Sequence, residues 1–218
     1  MPRQQTADHV RRAYRSQAPR YDRAMRFTSR IFDIDGGRQW VCAGARGDTL
    51  EIGIGTGLNL ELYSGDVAVT AIDLTPEMLE RTRARAAALG RAMTLREADA
   101  TDLPFADASF DTVTSTLTLC TITNPERAVR EAWRVLRPGG ELRFFEHGRG
   151  NDRLSVFIER LLEPLTFRLE ADRLLLEPDR VFAAAGVPVE VVRRTNRGVF
   201  WRLLAVRPTK ARDVINRE

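Results

Sequence analysis

The chain has 218 residues, 43% of them apolar, with a formal net charge of +4, which is enough for one α/β domain with a sizeable core. No apolar stretch approaches the roughly 18 residues of a membrane span, and the first fifteen residues lack the apolar segment of a secretory signal. Cys42 and Cys120 are the only cysteines. Two dispersed thiols predict a cytoplasmic, reducing location without a disulfide framework or a structural zinc site.

The charge is uneven along the chain. Residues 1–48 carry a balance of +5, residues 49–147 a balance of −5 and residues 148–218 a balance of +4. Basic flanks are typical of solvated faces in an arginine-rich chain, and they also suit an anionic substrate, a lipid surface or nucleic acid. Charge alone does not distinguish these alternatives.

From residue 48 onwards, short apolar runs alternate with helical stretches. We expect strands at 48–54, 67–73, 93–99, 110–119 and 140–147. Helices are expected to begin at 58–63 and to span 75–90 and 125–136; Thr75 is a candidate N-cap and Gly90 a candidate C-terminal stop. This alternation predicts a doubly wound, mostly parallel sheet.

The last 70 residues have a different pattern. Residues 189–195 and 201–207 are separated by a short link, which predicts antiparallel neighbours, and two helices are expected between 153 and 186. The first of these helices has one apolar face, interrupted by Pro164. We expect this face to form core or a lid, with a membrane-surface helix as the alternative; its residues are Leu154, Phe157, Ile158, Leu161, Leu162 and Leu165.

The stretch LEIGIGTGLNL, residues 50–60, contains a glycine-rich loop directly after a predicted strand. The dinucleotide pattern G-x-G-x-x-G fails in both registers, because Leu58 and Leu60 occupy its last glycine position. A triphosphate loop needs a lysine, and none precedes Lys210. The pattern that remains is E-x-G-x-G-x-G.

This pattern resembles the cofactor loop of class I S-adenosylmethionine-dependent methyltransferases. Three further stretches continue the likeness over about 100 residues: VTAIDLTPEML, READATDLPFADASFDTV and WRVLRPGGELRFFEH. Within this class the chain is most similar to the ubiquinone/menaquinone-biosynthesis (type 11) group and to bacterial phospholipid and thiol methyltransferase-like proteins. The resemblance implies a Rossmann-like seven-stranded sheet of order 3-2-1-4-5-7-6 with the last strand antiparallel. It also implies one domain over 1–218: a helical arm or lid at 1–47, a cofactor-binding core at 48–147 and a substrate side at 148–218.

The resemblance also implies S-adenosylmethionine as cofactor and places its contacts. Asp73, 20 residues beyond Gly53, would accept the ribose hydroxyls, and Asp99 the adenine amine. Glu51 suits a cationic, phosphate-free ligand or serves as a structural acceptor for backbone donors. The full set of expected cofactor contacts is Tyr21, Glu51, Gly53, Gly55, Thr56, Gly57, Asp73, Leu74, Asp99, Ala100 and Thr116.

Candidate catalytic residues are fewer. His147, at the end of the fifth strand, is either a general base or a structural hydrogen-bonding residue, and Tyr14 is a candidate wall around the transferred methyl group. Cys120 is expected to be a packing residue. The loop after the fourth strand has no acid before Glu126, so no metal is expected.

The expected acceptor is a small molecule, anionic or lipid- or quinone-like, or a secondary metabolite. A thiol or a phospholipid amine is the alternative. The turn used by enzymes that methylate nucleic-acid bases is missing, so nucleic acid is not expected. Contact with a membrane surface remains open, as does the oligomeric state. A nicotinamide oxidoreductase and a non-catalytic cofactor-binding module are the rival functions.

Overall fold

A computed structural model describes residues 5–209. Its centre is a seven-stranded sheet in the order β3-β2-β1-β4-β5-β7-β6, which confirms the predicted order. The strands are β1 (Asp48–Ile52), β2 (Ala68–Asp73), β3 (Thr94–Glu97), β4 (Phe110–Thr116), β5 (Leu136–His147), β6 (Glu190–Thr195) and β7 (Phe200–Val206).

Strands β1 to β5 run parallel, and β7 runs antiparallel between β5 and β6. Because β1 lies between β2 and β4, the chain reverses its direction of winding at this strand. Open α/β sheets bind ligands at the carboxyl ends of their strands beside such a switch point. The topology therefore predicts a ligand site at the loops after β1, β2 and β4.

Seven helices surround the sheet within the described residues 5–209. They are α1 (Ala7–Gln17), α2 (Tyr21–Ile31), α3 (Ile34–Ala43), α4 (Pro76–Ala88), α5 (Pro125–Val135), α6 (Arg153–Glu170) and α7 (Pro178–Ala184). One apolar cluster packs α5 and α7 on one face of the sheet, and a second packs α3 and α4 on the other. No helix within residues 5–209 is long and apolar enough to cross a membrane.

Three local expectations were wrong. The helix expected to begin at 58–63 is only a 3₁₀ turn, Leu60–Leu62. Thr75 stands at the N-cap of α4, but its side chain makes no capping hydrogen bond. Pro164 does not interrupt α6, which continues through it to Glu170.

The apolar face of α6 is also not core: it is exposed, and only Ser155 and Glu159 of this helix are buried. The first four residues of the predicted arm and the last nine of the predicted tail lie outside the described part of the chain.

Candidate active site

A cleft of about 860 Å³, including its open mouth, lies at the carboxyl ends of the central parallel strands. Its floor is formed by the loop after β1, the end of β2, the loop after β3 and the loop after β4. Helices α1 and α2 contribute one wall. The lining includes Tyr14, Tyr21, Glu51, Gly53, Gly55, Thr56, Asp73, Leu74, Asp99, Ala100 and Thr116, all of them predicted site residues.

The glycine loop follows β1 with a backbone that side chains would disturb. Gly53 has φ +70°, and a Cβ at this position would lie 2.2 Å from the side chain of Thr118. Gly55 has φ +59° and donates its backbone N–H to Asp73 at 2.9 Å. The two glycines therefore allow the loop to pass between β4 and the end of β2.

Asp73 ends β2 inside the cleft. Its Oδ2 accepts the N–H of Gly55, and its Oδ1 accepts the N–H of Thr75 at 2.8 Å. Burial raises the pKa of this carboxyl group, although the backbone donors of Thr75 and Gly55 act in the opposite direction. Each carboxylate oxygen has a second lone pair, so a fixed acceptor pair remains for a ligand that offers two hydroxyl groups.

Asp99 and Ala100 follow β3 along the same edge. The Oδ1 of Asp99 accepts both the N–H and the hydroxyl of Thr101, each at 2.8 Å, which fixes the carboxylate orientation. Ala98 and Ala100 beside it are small, leaving space for a flat ring. A polar acceptor next to small residues fits a base with an exocyclic amine.

Glu51 is buried beneath the loop in a side-chain network. It accepts hydrogen bonds from Asn59 at 2.7 Å and from Tyr63 at 3.0 Å, and Arg38 donates to Asn59 at 2.8 Å. Burial raises the pKa of Glu51 to about 7, with the donors Asn59 and Tyr63 opposing the shift. Its hydrogen-bond donors are thus side chains, not the backbone groups considered for a purely structural role. Arg38 and Asn59 also line the cleft, and neither was predicted from the sequence.

The helical arm is fastened over the glycine loop. Asp22 in α2 accepts the hydroxyl of Thr56 and pairs with Arg85 of α4, which in turn donates to the Thr56 carbonyl at 3.0 Å. The rings of Tyr14 and Tyr21 lie 6.3 Å apart in the cleft wall. Burial raises the pKa of both phenols, so they remain protonated hydrogen-bond donors at neutral pH.

Two predicted site residues do not line the cleft: Gly57 and His147. Gly57 has φ +80° and packs near Leu60 and Thr82. His147 lies with its Nε2 3.1 Å from Asp172 Oδ1. Burial acts to lower the pKa of His147, but the Asp172 carboxylate outweighs it and the pKa is raised.

Cys120 belongs to the same group of side chains. The ligand-type atoms of Cys120, His147 and Asp172 lie within 4.8 Å of one another. Burial raises the thiol pKa of Cys120 well above its usual value, and the nearby Asp172 and Glu146 add to the shift. The thiol is therefore protonated at neutral pH and unsuited to nucleophilic attack.

The methyltransferase domain family matches residues 50–144 of the chain. A phosphatidylethanolamine N-methyltransferase of Cereibacter sphaeroides is 46% identical over 103 residues, 46% of this chain and 51% of that protein. A demethylmenaquinone methyltransferase of Deinococcus radiodurans is 33% identical over 154 residues, 66% of this chain and 62% of that protein. The human thiol S-methyltransferase TMT1A is 37% identical over 120 residues, 53% of this chain and 49% of that protein. The chain thus spans about half of the length of two of these curated relatives and 62% of the third.

Among solved structures, a methyltransferase of Thermotoga maritima has a TM-score of 0.68 at 21% identity, over 90% of this chain and 99% of that chain. The YcgJ protein of Bacillus subtilis has a TM-score of 0.66 at 17% identity, over 80% of this chain and 99% of that chain. At these identities the likeness shows the fold alone.

The fold is that of the class I, Rossmann-like methyltransferases. Residues 50–144 match the methyltransferase domain family, and this match, together with S-adenosylmethionine-dependent methyltransferases of the same fold, implies S-adenosylmethionine as the cofactor. The cleft fits this cofactor, because it offers a fixed carboxylate at the end of β2 and a polar acceptor after β3. Its acids would repel a phosphate group, which S-adenosylmethionine does not have.

Proposed function

We propose that the protein transfers a methyl group from S-adenosylmethionine to a small amphiphilic acceptor bound under the helical arm. The observation that carries this proposal is the placement of Asp73, Asp99 and Glu51 around one cleft beside the glycine loop. Asp73 would hold the ribose hydroxyls and Asp99 the adenine amine. Arg38, buried at the methionine end, is the candidate partner of the cofactor carboxylate.

The cofactor supplies an electrophilic methyl group, so the protein needs chiefly to position the acceptor and exclude water. Tyr14 and Tyr21 suit this role, because they close the cleft from the arm side with aromatic surface. An ion pair at 2.8 Å also joins Arg15 of α1 to Glu77 of α4.

The acceptor is proposed to be lipid- or quinone-like, with a phospholipid amine or a thiol as the nearest alternatives. The wall that would face it combines Val10, Tyr14, Tyr21 and Ile122, which is apolar surface with two hydroxyl groups. Relatives that are named for phosphatidylethanolamine, demethylmenaquinone and thiol substrates support this choice of candidates. We propose a small-molecule acceptor rather than nucleic acid, and a cytoplasmic location.

Two experiments test this function. Thermal denaturation with S-adenosylhomocysteine should raise the midpoint, whereas NAD should leave it unchanged; stabilisation by NAD alone would support the oxidoreductase alternative. Methyl-labelled cofactor incubated with a cell extract should then label a small-molecule fraction, and nuclease treatment should not reduce the label. Binding without any transfer would favour the non-catalytic module.

A further inference from the structure

Helix α6 buries polar side chains and exposes its apolar side chains, which is the reverse of an ordinary surface helix. Its buried residues are the polar Ser155 and Glu159, and Glu159 accepts the backbone N–H of Gly150 at 3.0 Å. Its large apolar side chains face outward; Leu161 is 69% exposed and Phe157 65% exposed. The exposed set is Leu154, Phe157, Ile158, Leu161, Leu162, Leu165 and Leu169.

The outward face has two adjoining stripes. At ~100° per residue, the seven apolar side chains cover about 140° of arc; Arg153 and Arg160 lie along one border, and Arg168 lies just inside that border. All three arginines are exposed, and within residues 5–209 none of them forms an ion pair with an acid. Of the three helix acids, Glu159 is buried and Glu163 half-buried; Glu170 is exposed, but at ~100° per residue it lies on the opposite side of the helix from the apolar stripe. The exposed face is therefore both apolar and cationic.

A second cleft lies along the arginine border. It has a volume of about 1240 Å³ including open solvent, and Arg153, Phe157 and Arg160 line it. Three more arginines from outside α6 line it, Arg149, Arg180 and Arg194, together with the acids Asp152, Glu177 and Asp179. Arg149 and Arg180 both pair with Glu177, and the five arginines outnumber the three acids, so the lining has a net positive charge. A cationic recess beside an apolar stripe matches the arrangement of phosphate groups above acyl chains in a bilayer.

Helix α2 also exposes apolar and basic side chains, but fewer of them. It has no buried residue; Phe27 is 66% exposed and Ile31 58% exposed, and Arg23, Arg26 and Arg30 are also exposed. The two helices are connected through α1, because His9 and Gln17 of α1 contact the carbonyls of Arg168 and Leu169 in α6.

We propose that the outward face of α6 binds in the plane of an anionic lipid bilayer, with its apolar stripe in the acyl boundary and its arginines at the phosphate level. Charge complementarity selects this partner. A second copy of the chain would bring the same unpaired arginines towards each other, which costs free energy. At 18 residues, α6 is about 27 Å long, enough to lie across several lipid headgroups.

The surface and the cleft are connected through α1. His9 and Gln17 of α1 contact the carbonyls of Arg168 and Leu169 in α6, and Val10 and Tyr14 of the same helix line the cleft. A bilayer bound to the outer face would therefore bring lipid-like molecules to the rim of the proposed acceptor side. The membrane proposal does not depend on methyl transfer, because binding to vesicles is measured without activity.

Co-sedimentation with vesicles tests the proposal. The wild type should bind mixed phosphatidylcholine and phosphatidylglycerol vesicles at least about tenfold more strongly than pure phosphatidylcholine vesicles, and salt should weaken this binding. The triple variant F157S/L161S/L165S should lose at least about tenfold in partitioning, because each residue contributes apolar area to the bilayer contact.

A matched triple variant, L62S/L89S/V206S, removes three exposed apolar side chains from other elements and should bind vesicles like the wild type. The variant R153Q/R160Q/R168Q should lose the preference for anionic vesicles. S-adenosylhomocysteine should stabilise every variant, which shows that the fold is intact. Equal binding to both vesicle types, or wild-type binding by F157S/L161S/L165S, would overturn the proposal. So would a wild-type dimer that this variant converts to a monomer, because the face would then belong to a second copy.

Discussion

Glu51 offers a pH-dependent test of the cofactor site. It is 1% exposed beneath the glycine loop, and burial raises the pKa of its carboxyl group to about 7. S-adenosylmethionine carries positive charge at its sulfur and amino groups, so it should bind the ionised form of Glu51 in preference to the protonated form. The substitution Glu51→Gln removes the titration while keeping a polar side chain for Asn59 and Tyr63.

The size of the effect follows from the pKa. With a pKa of about 7, Glu51 is about one-tenth ionised at pH 6 and about nine-tenths ionised at pH 8. If the cofactor binds only the ionised form, its affinity should increase about tenfold between these pH values, or about 1.4 kcal/mol. The affinity of Glu51→Gln should be nearly independent of pH over this range.

Isothermal titration calorimetry at pH 6, 7 and 8 measures this dependence. The amino group of the ligand also titrates near pH 8, but its contribution is the same in both proteins and cancels in the comparison. S-adenosylhomocysteine, which lacks the sulfonium charge, should show a smaller increase. An equal pH dependence in wild type and Glu51→Gln would refute the assignment of Glu51 to the cationic end of the cofactor.

Three further outcomes are expected. Asp73→Ala should weaken the binding of S-adenosylhomocysteine, measured by calorimetry, by about a hundredfold or more, because two charge-assisted hydrogen bonds are lost. The control Asp102→Ala, which changes an exposed carboxylate, should leave this affinity unchanged. His147→Ala should leave kcat at saturating substrates unchanged in the methyl-transfer assay if His147 serves only to pair with Asp172; a large loss of kcat would favour the general-base role. Since the folded-state pKa values of Glu51 and Glu146 are raised from 4.5 to about 7, unliganded stability should fall as pH rises from about 4.5 through 7. For Glu51 the shift corresponds to about 3 kcal/mol at most, so in urea titrations Glu51→Gln should lose stability less steeply across this window.

The sheet could be predicted because its strands are short apolar runs separated by clear helices. Strand order came from the resemblance, since the alternation indicates a parallel sheet without fixing which strands are neighbours. The 3₁₀ turn at Leu60–Leu62 was missed because LNLELY has the composition of a helix start. In the structure Asn59 and Tyr63 instead direct their side chains to Glu51, and Arg91 donates to the carbonyls of Leu60 and Tyr63.

The cofactor side of the cleft could be predicted from motifs, but Arg38 could not. The chain has one lysine and many arginines, so no single arginine is distinguishable by type. What sets Arg38 apart is tertiary: it is 7% exposed and donates to Asn59 in the network around Glu51. Likewise, the helical period of α6 identified its apolar stripe but not the direction in which that stripe faces. Only packing shows that the polar side is the buried one.

At the end of β5, Glu146 rather than the predicted His147 supports the loop after β4. Neighbouring residues of a strand point to opposite faces, so His147 and Glu146 act in different surroundings. Glu146 is fully buried and accepts the Ser115 hydroxyl at 2.7 Å and the N–H groups of Thr118 and Leu119 at 2.8 and 3.0 Å. These three donors belong to the end of β4 and the loop after it, and Thr118 lines the cleft and contacts Gly53. Glu146 therefore couples β5 to the loop after β4 and, through Thr118, to the glycine loop, whereas His147 lies 3.1 Å from Asp172 in the segment after α6.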